Sequence, residues 1–174
     1  MSSLSVEAGK QVFIHFIAAP LAGKSKQAEI LSKILSLPWL DMGEVLRRHQ
    51  TDPELRAVMS AGGLVDDSRC KVLLRNELAM MDVARGWILV GFPRTLSQLQ
   101  AVEEWHRVEG HEHVFYLFLA VDLETIKARN RKRIAEAKAV GTAPRQDDTK
   151  LGARLMAYRS STIPLMLKLS RQPN

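Results

Sequence analysis

Cysteine is nearly absent from this chain. One thiol, Cys70, in 174 residues excludes an internal disulfide and any zinc site built from several cysteines. Aromatic residues make up only 6%, so the interleaved platforms on which single-stranded nucleic acid stacks are missing. No apolar run approaches the roughly 20 residues of a membrane helix, and no membrane association is expected. The opening MSSLSVEAGKQ has neither the apolar segment of a secretory signal nor the arginines of a transit peptide. A reducing, soluble compartment follows as the expectation, the cytoplasm by default. Negative charge is also in deficit: 19 acidic against 25 basic residues leave a net charge of +6 and a pI near 9.7. Such a balance favours anionic partners. Without a nucleic-acid motif, phosphorylated small molecules fit better than nucleic acid.

The chain is long enough for one domain with a real core. The apolar run Val12 to Ala19 is short and rich in β-formers, and reads as a buried parallel strand. Beyond Gly23, Ala28, Ile30, Leu31, Ile34 and Leu35 recur at helical spacing. LPWLDM reads as a short strand leading into the helical GEVLRRH. Asp52 and Pro53 supply an N-cap and first-turn pair for ELRAVMSA, which Gly62-Gly63 ends. Asp66 and Asp67 can cap a helix with Cys70, Leu74, Leu78 and Met81 on one stripe. WILVGF and HVFYLFLAV read as the third and fourth buried strands, with Thr95 capping a helix between them. Two charged helices, near 123–138 and 149–170, flank the loop AVGTAPRQDD, and Pro164 must kink or interrupt the second. Strands alternating with helices specify a parallel α/β sheet with right-handed crossovers.

Three stretches carry chemistry. APLAGKS joins a buried strand to a helix, where backbone N–H groups and the helix dipole favour phosphate. Lys24 adds a positive charge and Ser25 a hydroxyl able to reach Mg²⁺. GFPRTLSQ lies at the carboxyl end of the third strand, the edge at which open α/β sheets bind ligands. Arg94 is a rigid fork suited to phosphate, and Gln98 offers a donor and an acceptor to a base edge. Arg129 and Arg133 share a helix face, and with Arg145 and Arg154 they flank the flexible loop as a lid would. Arg131 and Lys132 read as a solvated face.

Six motifs in order give the chain a resemblance to the adenylate kinases, within the nucleoside monophosphate kinases, over about residues 11–170. The family's G-x-P-G-x-G-K-G-T-Q-A stands here as AAPLAGKSKQA, T-G-D-x-L-R as MGEVLR, and A-G-x-L-V as AGGLV. G-F-P-R-T-x-x-Q is intact, R-x-x-x-R is Arg129 and Arg133, and R-x-D-D is Arg145 to Asp148. The resemblance implies a P-loop fold with a parallel sheet of four to five strands, and transfer of the terminal phosphoryl of Mg-ATP to AMP. It implies a single monomeric domain: core segments 11–41, 82–122 and 149–174, a monophosphate-binding insertion at about 42–81, and a short zinc-free lid at about 129–148. By position, ATP would be held by Pro20, Leu21, Ala22, Gly23, Lys24, Ser25, Lys26, Arg129 and Arg133. AMP would meet Met42, Gly43, Arg47, Gly63, Leu64, Val65, Gly91, Phe92, Arg94, Gln98, Arg145 and Arg154. Lys24 and the arginines 94, 129, 133, 145 and 154 would surround the transferring phosphoryl, with Ser25 toward Mg²⁺.

The chain departs from the family at several of these positions. Ala18 and Leu21 replace loop glycines, Ser25-Lys26 replaces Gly-Thr, Met42 replaces a threonine that touches the AMP base, and Val90 replaces an aspartate that organises Mg²⁺ through water. Ala18, Leu21 and Val90 leave open a nucleotide-binding module without turnover. Met42 leaves open a UMP/CMP-type kinase.

Overall fold

The computed structural model describes residues 10–49 and 51–172. The first nine residues of the opening stretch read above, and the last two residues of the C-terminal core segment, lie outside the described residues. Four strands, β1 (Val12–Ala18), β2 (Trp39–Asp41), β3 (Gly86–Val90) and β4 (Val114–Leu119), form one parallel sheet in the order β2-β3-β1-β4. Helices α1 (Lys24–Leu35), α2 (Met42–Arg48), α3 (Pro53–Ser60), α4 (Asp67–Ala79), α5 (Leu96–Val108) and α6 (Leu123–Ala139) fill the connections. After α6 come a 3₁₀ turn (Gln146–Lys150), α7 (Leu151–Ala157), a π-helical turn (Tyr158–Thr162) and α8 (Ile163–Leu169). Among the described residues, no helix is long and apolar enough to cross a membrane.

Alternation along the strands sorts the core. Ile14 and Phe16 of β1, with Ile88 and Val90 of β3, meet Ala28 of α1 and Leu37 on one face. Phe13, Trp87 and Leu89 face the other way, into a cluster with Val45, Leu55, Leu74 and Val102. A third cluster seats α8 against the sheet through Ile17, Leu99, Leu165 and Leu169. At the start of β3 only glycine fits: a Cβ on Gly86, whose φ is 101°, would lie 1.9 Å from the Val12 carbonyl oxygen.

The expected caps are present. Asp52 accepts from the N–H groups of Glu54 and Leu55, Asp66 from Arg69, and Thr95 from Gln98. One apolar reading needs correction. β4 is an edge strand and not a buried one, leaving Phe115 and Phe118 exposed. The helical spacing read beyond Gly23 is α1, where Ile30 and Ile34 are exposed and only Ala28 is fully buried, because the helix touches the sheet along a narrow stripe. Pro164 interrupts the last helix as expected, and the interruption takes the form of the π-helical turn.

Candidate active site

The loop between β1 and α1 folds as a phosphate cradle does. Gly23 takes φ 98° immediately before Lys24, so the first N–H groups of α1 point out past the sheet edge. Leu21 holds φ 61°, a left-handed conformation that costs a leucine about 1 kcal/mol. Arg129 of α6 braces this bend, donating through Nη1 to the carbonyls of Leu21 and Ala22, both at 3.0 Å. Ala18 is the last residue of β1 and needs no such conformation, so only the Leu21 substitution strains the loop.

A cavity of about 410 Å³ opens at the carboxyl ends of β1, β2 and β3. Every site residue expected from the sequence lines it except Ala22, which is buried and contributes its carbonyl to Arg129. Met42 reaches the wall while being only 3% exposed, packed with Val45 and Leu74. Lys132, read as solvated, also lines the cavity and stands 3.8 Å from Glu136. Lys24, Lys26, Arg47, Arg94, Arg129, Lys132, Arg133, Arg145 and Arg154 line this space together with Asp41, Glu44 and Glu136. The excess of cations is what a polyanionic ligand would neutralise.

Individual side chains are held before any ligand arrives. Lys24 Nζ donates to the carbonyls of Ala18 (3.0 Å) and Ala19 (2.8 Å). Burial lowers its pKa to about 7; nearby Arg94 and Arg154 push the same way, while Asp41 opposes them. Arg94 is fixed three ways: its N–H donates to Gln98 Oε1 at 2.7 Å, its Nε donates to the Gly91 carbonyl at 2.9 Å, and its own carbonyl accepts from Thr162 Oγ1 at 3.0 Å. Burial, then the charge of Arg154, lowers the Arg94 pKa. Gln98 is buried, and its Nε2 donates to Asp67 at 2.6 Å, so part of its amide is committed to the protein. Glu44 receives Arg47 at 2.6 Å and Arg145 at 3.4 Å, joining α2 to the segment after the α6 loop. These two arginines, Arg47 first, lower the Glu44 pKa.

Three organising carboxylates escaped the sequence reading. Asp148 is buried, pairs with Arg133 and stands 3.9 Å from Arg154. Its backbone carbonyl also accepts from Asn130. The R-x-D-D pattern was the available signal. Asp67, one residue past the cap, turns to Gln98 and to Thr95 Oγ1 (3.3 Å). Asp41 ends β2, accepting from the Ser25 hydroxyl at 2.5 Å and from the Gly43 N–H at 2.8 Å. Nothing in the local sequence pairs either of the last two with its partner.

Residues 16–172 match the profile of a family described as adenylate kinase. An adenylate kinase of Methylobacterium radiotolerans is 36% identical over 159 residues, covering 87% of this chain and 80% of that protein. One from Agrobacterium fabrum is 34% identical over 164 residues, covering 90% and 84%. One from a Chelativorans species is 36% identical over 157 residues, covering 86% and 81%. Matched by that profile over residues 16–172 and by relatives up to 36% identical over most of its length, the chain belongs to the adenylate kinases.

Proposed function

We propose that the protein transfers the terminal phosphoryl of Mg-ATP to AMP, giving two ADP. The observation that carries this is the gathering of Lys24, Arg94, Arg129, Arg133 and Arg154 around one cavity at the sheet's carboxyl edge, with Lys24 and Arg94 largely desolvated. The AMP phosphate oxygen attacks the γ-phosphorus of ATP as the bond to the β–γ bridging oxygen breaks. Such a reaction needs positioning and charge neutralisation, and no covalent nucleophile. In this reading the Gly23 turn and the start of α1 receive the β-phosphate, and Lys24 follows the moving phosphoryl. Arg94, Arg47 and Arg154 hold the AMP phosphate, while Gln98 and the segment Gly63 to Val65 enclose its base. The segment at about 129–148 acts as the lid, with Arg129 and Arg133 at its root and Arg145 arriving from its far end. Closure would exclude water that could hydrolyse ATP.

The residues present fit Mg²⁺. The Ser25 hydroxyl and the Asp41 carboxylate on the cavity wall are hard oxygen donors of the kind this ion takes. Among the described residues there is no group of three or more His, Cys, Asp or Glu able to cage a metal. Ser25 and Asp41 would thus support an ion held mainly by nucleotide phosphates and water. When bound, Mg²⁺ neutralises phosphate charge.

The test is an ADP-formation assay with Mg-ATP against AMP, dAMP, GMP, UMP and CMP. Turnover with the adenine acceptors above all others is expected. Binding of ATP without turnover on any acceptor would identify a non-catalytic module instead.

A further inference from the structure

Of the three carboxylates that share the cavity wall with the cations among the described residues, Asp41 is the one at the end of a strand, and it lies beside a position where the family has an aspartate and this chain does not. The family's D-G-F-P-R-T places an aspartate where β3 here ends in Val90, 1% exposed and packed with Ala28 and Ile88. Such a side chain cannot order water. Asp41 is the register partner of Val90 on the neighbouring strand β2. Register partners in parallel strands project to the same face, and adjacent strands lie about 4.8 Å apart. Asp41 thus presents its carboxylate on the face where position 90 would, one strand over.

The contacts of Asp41 agree with that displacement. Its Oδ2 accepts from Ser25 Oγ, in the first turn of α1 beside Lys24, and its Oδ1 accepts from the Gly43 N–H. Each oxygen has a neutral partner and keeps a lone pair for water. Both Asp41 and Ser25 line the cavity. Mg²⁺ dehydrates reluctantly and is held through one or two carboxylates plus phosphate oxygens, so an outer-shell carboxylate beside a hydroxyl is a fitting support.

We propose that Asp41, with Ser25 beside it, orders the water shell of nucleotide-bound Mg²⁺ in this protein, in place of the aspartate missing at position 90. The proposal rests on the phosphotransfer reading above. It gives Asp41 a positioning role that changes sign with the metal. With Mg²⁺ present the carboxylate attracts the complex, and without it the same charge repels the nucleotide's phosphates.

Binding calorimetry of a non-hydrolysable ATP analogue, once with excess Mg²⁺ and once with EDTA, reads that sign. In Asp41→Asn, which keeps the cap on Gly43, the ratio of the two affinities should fall about 10–100-fold, the usual effect of losing an outer-shell partner. The EDTA affinity should hold or rise. Asp41→Ser, which also keeps a capping oxygen, should behave alike. Adding Val90→Asp to Asp41→Asn should recover part of the ratio. The assignment is overturned if both single variants keep the wild-type ratio, if the two affinities fall together as for a structural residue, or if neither variant folds. Failure of the wild type to form ADP from ATP and AMP would instead overturn the phosphotransfer reading. An active wild type with an unchanged ratio in the variants overturns only the role of Asp41.

Discussion

Strand β1 separates two buried polar systems that solve desolvation in opposite ways. At its carboxyl end the cradle concentrates cations, and burial pushes Lys24 down to about 7 because the protein supplies few anions there. On its other face His15, fully buried, begins a chain of neutral rings. Its Nδ1–H donates to the Phe92 carbonyl at 3.1 Å, which leaves Nε2 to accept from His106 Nε2–H at 3.0 Å. His106 Nδ1 then accepts from His111 Nδ1–H at 2.8 Å. The carbonyl can only accept, so it fixes every tautomer back to the partly exposed His111. Trp87, Trp105 and Tyr116 stack on or edge these rings. The chain satisfies itself; the cradle awaits a polyanion. The cradle keeps its charges where a polyanion would answer them, whereas the ring chain carries none.

Removing one cation should break the cradle's half of the contrast most strongly. Lys24→Met is expected to lower kcat by about 10²–10³, the usual effect of deleting one preorganised electrostatic contact. Folded stability should hold or rise, since a desolvated amine is gone. Steady-state rates and a thermal melt check both, and equal rates would show that Lys24 does not follow the phosphoryl.

Acid should break the other half. Burial lowers His15 to about 3 and His106 to about 4, and it lowers His111 as well. The unfolded chain binds these protons near 6.5 and the folded chain does not, so their stability is present above 6.5 and is lost as pH falls toward 4. Two protons correspond to about 2.7 kcal/mol per pH unit at the steepest. Between pH 6.5 and 5 the signal belongs to the histidines, because the carboxylates with lowered values, such as Glu44 and Asp52, act below about 4.5. Urea unfolding across that window measures the slope. A flat profile would mean the rings are charged in the folded protein, and His106→Gln should roughly halve the slope.

The smallest effect sharpens the contrast within the loop itself. Leu21→Gly relieves the φ 61° strain but adds freedom to the unfolded chain. The two nearly cancel, so stability should change by less than about 1 kcal/mol. A larger loss by denaturant titration would show that the leucine side chain itself holds the loop.

Much of this was legible in the sequence where cause and effect lie close together. Thr95 and Asp52 cap as expected because a cap needs only the next three residues, and the cradle was readable because strand, glycine, lysine and helix follow each other directly. What was hidden depends on distant partners. Asp41 ends a short strand and looks like a terminator until Ser25, 16 residues earlier, donates to it. His15 sits in an apolar strand as an oddity until His106 arrives from 91 residues away. The edge position of β4 was hidden too, since a strand's own residues do not state its place in the sheet order.

The π-helical turn at Tyr158–Thr162 has a consequence for how the chain can change its length. Inserting or deleting one residue in an ordinary α-helix rotates everything downstream by about 100°. Here the wide turn absorbs that offset, so Leu165 and Leu169 still face Leu99 while Thr162 reaches the Arg94 carbonyl. The segment is therefore clamped at both ends, by Arg154 in the cavity wall and by Leu165 in the core. A deletion restoring regular helix would free one clamp or the other. Substitutions along this stretch leave both clamps in register, whereas a change in its length does not.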